Sequence, residues 1–186
     1  MTADQAVVAV IDALDAARIP YMIVGSLASN FHGIPRSTRD ADFVVELEPN
    51  GLDRLASALP AALRVHPQGA FEAVTGTTRY LIEMTGNPFT CELFVRSDDE
   101  HDRERFNRRE RVVVFGRHAF VATAEDMILT KLRWAQEAHR PKDRDDVRNI
   151  LAIRAADLDW VYLERWTSAH DTAALLREIQ ASLPPG

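Results

Sequence analysis

The alternation of apolar and polar positions divides the chain into a first part that mixes strands with helices and a second part that is helical throughout. Val7, Val8, Ile11 and Leu14 recur at helical intervals behind Thr2 and Gln5, which have capping-box spacing, predicting a helix over about residues 3–18. Tyr21–Val24 is a four-residue apolar run between Pro20 and Gly25, too short for a helix and suited to a buried strand. Ser26–His32 fits two helical turns stopped by Gly33, residues 34–39 a loop, and Asp40–Leu47 a second strand. Pro49-Asn50 then opens a helix with Leu52, Leu55, Ala56 and Leu59 as its apolar stripe.

Leu63–Glu83 suits two or three strands, and Phe89–Val95 is a strand apolar on both faces except at Glu92. Residues 96–111, acidic first and then rich in arginine, suit a solvated helix aligned with its dipole. A hairpin around Gly116 follows. From Thr123 onward the pattern is helical: a strong helix from the Thr123/Asp126 cap to His139, then segments near 143–154, 157–167 and 171–183. The expected fold class is α+β, a mixed sheet flanked by helices over residues 1–122, with a C-terminal helical region over 123–186 packed on it.

Composition narrows the function classes. A chain of 186 residues with 46% hydrophobic and 27% charged residues can build a well-buried core. The N-terminus lacks the basic start of a signal peptide, and no apolar run approaches the ~20 residues of a membrane span. The one cysteine, Cys91, excludes an internal disulfide, and a cytoplasmic location is expected. A net charge of −6 argues against a generally basic, nucleic-acid-coating surface. The arginines of residues 103–111 could receive an RNA backbone, but Glu104 and Glu110 interrupt them.

The candidate chemistry lies between Tyr21 and Glu46. Gly25 at a strand end lets the backbone approach a ligand closely, and the following helix start offers amide N–H groups and the Ser26 hydroxyl to a phosphate. Asp40 and Asp42, two apart on a strand, project from one face. Two such carboxylates repel unless a proton or a cation intervenes, and magnesium takes one or two carboxylates together with substrate phosphates. Glu92 is the candidate third carboxylate, since a carboxylate in an otherwise apolar strand needs a partner; Glu83 is the alternative. Lys131 lies four residues from both Met127 and Ala135, within its helix's apolar stripe, where it either snorkels or faces a polar cavity. Asp146 could instead be a surface acid paired with Arg144 or Arg148, and Arg36 in the loop is a candidate phosphate contact.

These residues carry a resemblance. An apolar residue followed by Gly25-Ser26, thirteen further residues and Asp40-Ala41-Asp42 resembles the signature of the nucleotidyltransferase superfamily related to DNA polymerase β. Lys131 resembles its lysine motif, and Lys142, Asp143 and Asp146 its Lys-Asp-x-x-Asp motif, most like the AbiEii-type toxins and minimal-nucleotidyltransferase relatives. The resemblance implies a nucleotidyltransferase fold and magnesium or manganese on Asp40, Asp42 and Glu92. It also implies a nucleoside triphosphate contacted by Gly25, Ser26, Arg36 and Lys142, with Lys131 and Asp146 among the catalytic residues. The implied acceptor is RNA, tRNA or a protein, and an antitoxin is an implied partner. A non-catalytic binding partner of the same fold and an antibiotic-modifying transferase are the alternatives.

Overall fold

The computed structural model describes residues 1–72 and 76–183. Helix α1 (Ala3–Ala16) begins at the predicted capping box: the Thr2 side chain accepts from the Gln5 N–H, and Gln5 reaches back to the Thr2 N–H. Strand β1 (Tyr21–Val24) is buried throughout and runs into α2 (Gly25–His32) without a connecting loop. Strand β2 spans Asp40–Val45, ending two residues earlier than its apolar run suggested.

Helix α3 (Gly51–Ala58) departs from its predicted stripe. Leu55 is fully buried, Ala56 is exposed, and Leu59 lies beyond the helix in extended conformation. Pro60 explains the extension, because the residue before a proline is pushed out of the helical region.

Among the described residues, eight strands form one sheet: β1 and β2, then β3 (Leu63–Val65), β4 (Ala70–Glu72), β5 (Thr77–Met84), β6 (Asn87–Val95), β7 (Glu110–Val114) and β8 (Arg117–Val121). Their order is β3-β5-β6-β2-β1-β8-β7, with β4 also paired to β5. β2 runs parallel to β6 and β1 parallel to β8, while the remaining pairs are antiparallel. The β7–β8 hairpin turns at Phe115 and Gly116, both at positive φ as a two-residue turn requires.

Helix α4 (Glu100–Arg108) falls where the charged stretch predicts one, but it is not solvated all round. His101, Asp102, Arg105 and Phe106 are buried, with Arg105 paired to Asp102 at 2.6 Å. Arg109 lies over the rings of Phe106 and Phe120. The arginine cluster is therefore partly spent on packing inside the fold and does not form one open basic patch.

The chain divides into two compact units, Met1–Leu27 with Ser37–Ala122 and Ala28–Arg36 with Thr123–Gly186. The first holds the whole sheet. One face of that sheet buries Ala41, Phe43, Val45, Cys91 and Leu93, and α1 packs against β6 and α3. The opposite face of β2 and β6 carries Asp40, Asp42, Thr90, Glu92 and Phe94 and is half-open.

The second unit contains α5 (Ala124–Ala138), α6 (Pro141–Arg154), α7 (Trp160–Ala169) and α8 (Ala173–Ala181). Thr123 caps α5 as predicted, accepting from the Asp126 N–H. α6 starts two residues before Asp143, with Pro141 in its first turn, where the missing N–H costs nothing. Met127, Ile128, Leu132, Val147, Ile150, Leu163 and Ile179 fill this unit's core. Among the described residues no helix is long and apolar enough to cross a membrane.

Candidate active site

Gly25 has φ +64°, a region that only glycine enters at little cost. Its predecessor Val24 is the register partner of Asp42 across the β1–β2 pair, so the strand-to-helix turn lies directly beside that aspartate. A Cβ on Gly25 would stand 1.8 Å from Asp42 Oδ2, well inside van der Waals contact. The place where α2 presents its first amides is thus also the place where a carboxylate is held. Ser26, the next residue, is buried.

Asp40 and Asp42 project from the half-open face of β2, as their alternation predicts, and both are partly exposed. The Thr38 hydroxyl donates to Asp40 Oδ1 at 2.7 Å and so fixes that carboxylate from the loop side. Behind the sheet, the Cys91 thiol pKa is pushed up to about 12, by burial first and then by the negative charges of Asp42 and Asp40. The pair therefore makes a concentrated negative charge.

Glu92 is the register partner of Asp42 across the parallel β2–β6 pair, so the two sit on adjacent strands about 4.8 Å apart and face the same way. Its carboxylate is turned toward β5, however, where both oxygens lie 3.2 Å from Arg79 Nη1. The partner that a carboxylate in this apolar strand needs is thus supplied by Arg79. Glu83, the alternative third carboxylate, lies 2.9 Å from His66 Nε2. Among the described residues no group of three or more His, Cys, Asp or Glu side chains is gathered as metal ligands. The donor set that fits a cation is Asp40 with Asp42: hard oxygens on one face, beside a backbone cradle that a Cβ would fill. That suits an ion that completes its shell with phosphate oxygens and water.

Of the remaining predicted residues, Lys131, Asp143, Asp146 and Arg36 gather in the helical unit. Lys131 does not snorkel: its ammonium lies 2.9 Å from Asp143 Oδ1 and 2.9 Å from Asp146 Oδ2 and is 6% exposed. Arg36 grips Asp146 with two parallel bonds, Nε to Oδ1 at 2.8 Å and Nη2 to Oδ2 at 2.9 Å. Asn30 brackets the Arg36 backbone, donating to its carbonyl and accepting from its N–H. Arg140 bonds Asp143 at 2.8 Å and stacks over Trp134.

Asp146 is therefore not the surface acid its position allowed; Arg144 pairs with Glu178 and Arg148 with Asp145. Lys142 is exposed on α6, and Arg39 is exposed in the loop. His32 is buried with its ring edge-on to Phe31. Reading the sequence singled out none of Thr38, Asn30, Arg79 and Arg140. The signal for Thr38 was its place two residues before Asp40; Arg79 and Arg140 become visible only through strand register and helix packing.

Burial alone would raise the Asp146 pKa, but the Arg36 hydrogen bonds and the Lys131 charge outweigh it and hold the value below the ordinary one. A carboxyl that binds its proton less readily folded than unfolded stabilises the fold above its unfolded pKa and loses that contribution as pH falls through its folded pKa. Stability should therefore decline on acidification below about pH 4. Thermal melts by circular dichroism between pH 6 and 2 should show a flatter acid limb in Asp146→Asn. The same acid limb in both proteins would assign that decline to other carboxyls.

No family model and no curated protein matches the sequence. Solved structures do match. The antibiotic-resistance factor ANT(2'')-Ia, determined in solution, aligns over 96% of this chain and 96% of its own with 15% identity and a TM-score of 0.63. A crystal structure of ANT(2'')-Ia in complex with adenylyl-2''-tobramycin aligns over 92% of this chain and 98% of its own, with 18% identity and a TM-score of 0.63. An antigenic nucleotidyltransferase-like protein from Paracoccidioides brasiliensis covers 98% and 94% with 18% identity and a TM-score of 0.54. At such identities the likeness is one of fold. The α+β fold of this chain is that of the nucleotidyltransferases.

Proposed function

We propose that this chain is a nucleotidyltransferase, moving a nucleoside monophosphate from a nucleoside triphosphate to an acceptor hydroxyl. The observation that carries this reading is the contact of the Gly25 backbone with the Asp42 carboxylate, which puts a phosphate cradle and a cation-binding pair at one point of the sheet. Gly25, Ser26 and the first-turn amides of α2 bind the outer phosphates, helped by the positive end of the helix dipole. Asp40 and Asp42 would hold magnesium, which when bound neutralises charge building on the phosphate oxygens. The acceptor oxygen attacks the α-phosphorus while its proton passes to Glu92. The bond to the bridging oxygen breaks, and pyrophosphate leaves with the electron pair.

Lys131, Asp143, Asp146 and Arg36 support this chemistry through the fold, since each is held by the others. For the acceptor, two readings stand. A small polyhydroxyl molecule, of the kind seen as adenylyl-2''-tobramycin in the ANT(2'')-Ia complex, is favoured by the end-to-end match in length with that protein and by Arg105, which α4 turns inward to Asp102. A toxin acting on RNA or a protein is the reading that the sequence motifs suggest.

Incubating the purified chain with magnesium, each α-labelled triphosphate in turn and three acceptor classes (aminoglycosides, total RNA, cell protein) tests both. Label transferred to one acceptor class, with release of pyrophosphate, is the expected result. No transfer from any donor, together with tight capture of a partner protein, would replace the enzyme reading with that of a binding partner.

A further inference from the structure

Glu92 occupies a position that offers it two partners. Across the parallel pair its neighbour is Asp42, with Asp40 two residues along the same face. Across the antiparallel pair it faces Leu81, and Arg79, one step further along the same face of β5, reaches back diagonally to take both carboxylate oxygens. Both oxygens lie 3.2 Å from one guanidinium nitrogen, so the carboxylate is turned toward β5 and away from Asp42 on its other side, and its charge is shared with a cation of the protein. The pair is also only partly buried, Arg79 37% and Glu92 22% exposed, so separating it costs little. It is an exchangeable contact beside a site that calls for a third carboxylate.

We infer that Arg79 is a positioning residue that competes with the divalent cation for Glu92. While the guanidinium holds Glu92, the cation has the two carboxylates of Asp40 and Asp42. When a phosphate-bearing substrate draws the guanidinium away, Glu92 joins them, so the third carboxylate enters the site only with substrate present. This rests on the cation-binding role of Asp40 and Asp42 proposed above.

The test is Mn2+ binding to the full chain without nucleotide, followed by electron paramagnetic resonance. Arg79→Gln should bind Mn2+ roughly threefold to fivefold tighter than wild type or take up a second ion, the scale set by a partly exposed ion pair. Arg79→Lys, which keeps the charge but carries it on a more flexible stem, should fall between the two. Glu92→Gln should match wild type, and adding Arg79→Gln to it should change nothing further. An equal gain in the Glu92→Gln background would mean that Arg79 acts by charge alone and would overturn the competition. Equal binding by wild type and Arg79→Gln, with loss in Asp42→Asn, would also overturn it while leaving the cation site intact. Mn2+ binding that survives Asp42→Asn, or none by any variant, would overturn the cation site itself.

Discussion

Asp42→Asn should lower nucleotidyl transfer by roughly 10³-fold or more while leaving the fold unchanged, on the scale of removing one preorganised electrostatic group from an active site. The substitution keeps the shape and removes only the charge. Asp42 stands on the half-open face of β2 and lies against the Gly25 backbone, so a neutral amide fits the same space. The decisive measurement is single-turnover transfer of labelled nucleotide to whichever acceptor class takes up label in the wild-type assay. A variant within tenfold of wild type would remove Asp42 from the chemistry, and with it the shared position of phosphate and cation.

Lys131→Met should cost about 3 kcal/mol of stability, the lower end of the range for breaking a buried ion pair. The lysine links two buried aspartates, so its loss leaves negative charge in a poorly solvated place. The cost stays near the lower bound because Asp146 keeps Arg36 and Asp143 keeps Arg140. For a chain of this length that corresponds to a fall in Tm of roughly 6–12 °C. A lysine serving mainly the triphosphate would instead raise KM for the nucleotide and leave the melt where it was. The two measurements together decide which task Lys131 performs.

Much of this architecture was legible along the chain because its signals are local. Side-chain alternation fixes Asp40 and Asp42 on one face wherever the strand lies, and a glycine after a buried run marks a turn regardless of its surroundings. Thr2 and Thr123 cap within three residues of themselves. What stayed hidden depends on pairings between distant segments. Arg79 meets Glu92 only because β5 and β6 pair in one register, and a shift between Glu83 and Met84 helps set it. Nothing in the charge pattern of residues 96–111 says that Arg105 turns inward to Asp102. Likewise, the motif residues Lys131, Asp143 and Asp146 were readable as a set, but that they satisfy one another follows from the packing of α5 on α6. The grouping of Ala28–Arg36 with the helices also has no sequence boundary, since α2 is continuous across it.

The turn at Gly25 has a genetic consequence. Every amino acid within one nucleotide change of a glycine codon carries a Cβ, and here that atom would have to enter the space of Asp42. The codon is thus surrounded by missense changes that all damage the same carboxylate, with no mild step among them. In a lineage that still uses the site, this position should accumulate only silent changes. Once activity no longer matters, only the backbone strain opposes change, so the state of this one codon in related genomes helps to separate working copies from retired ones.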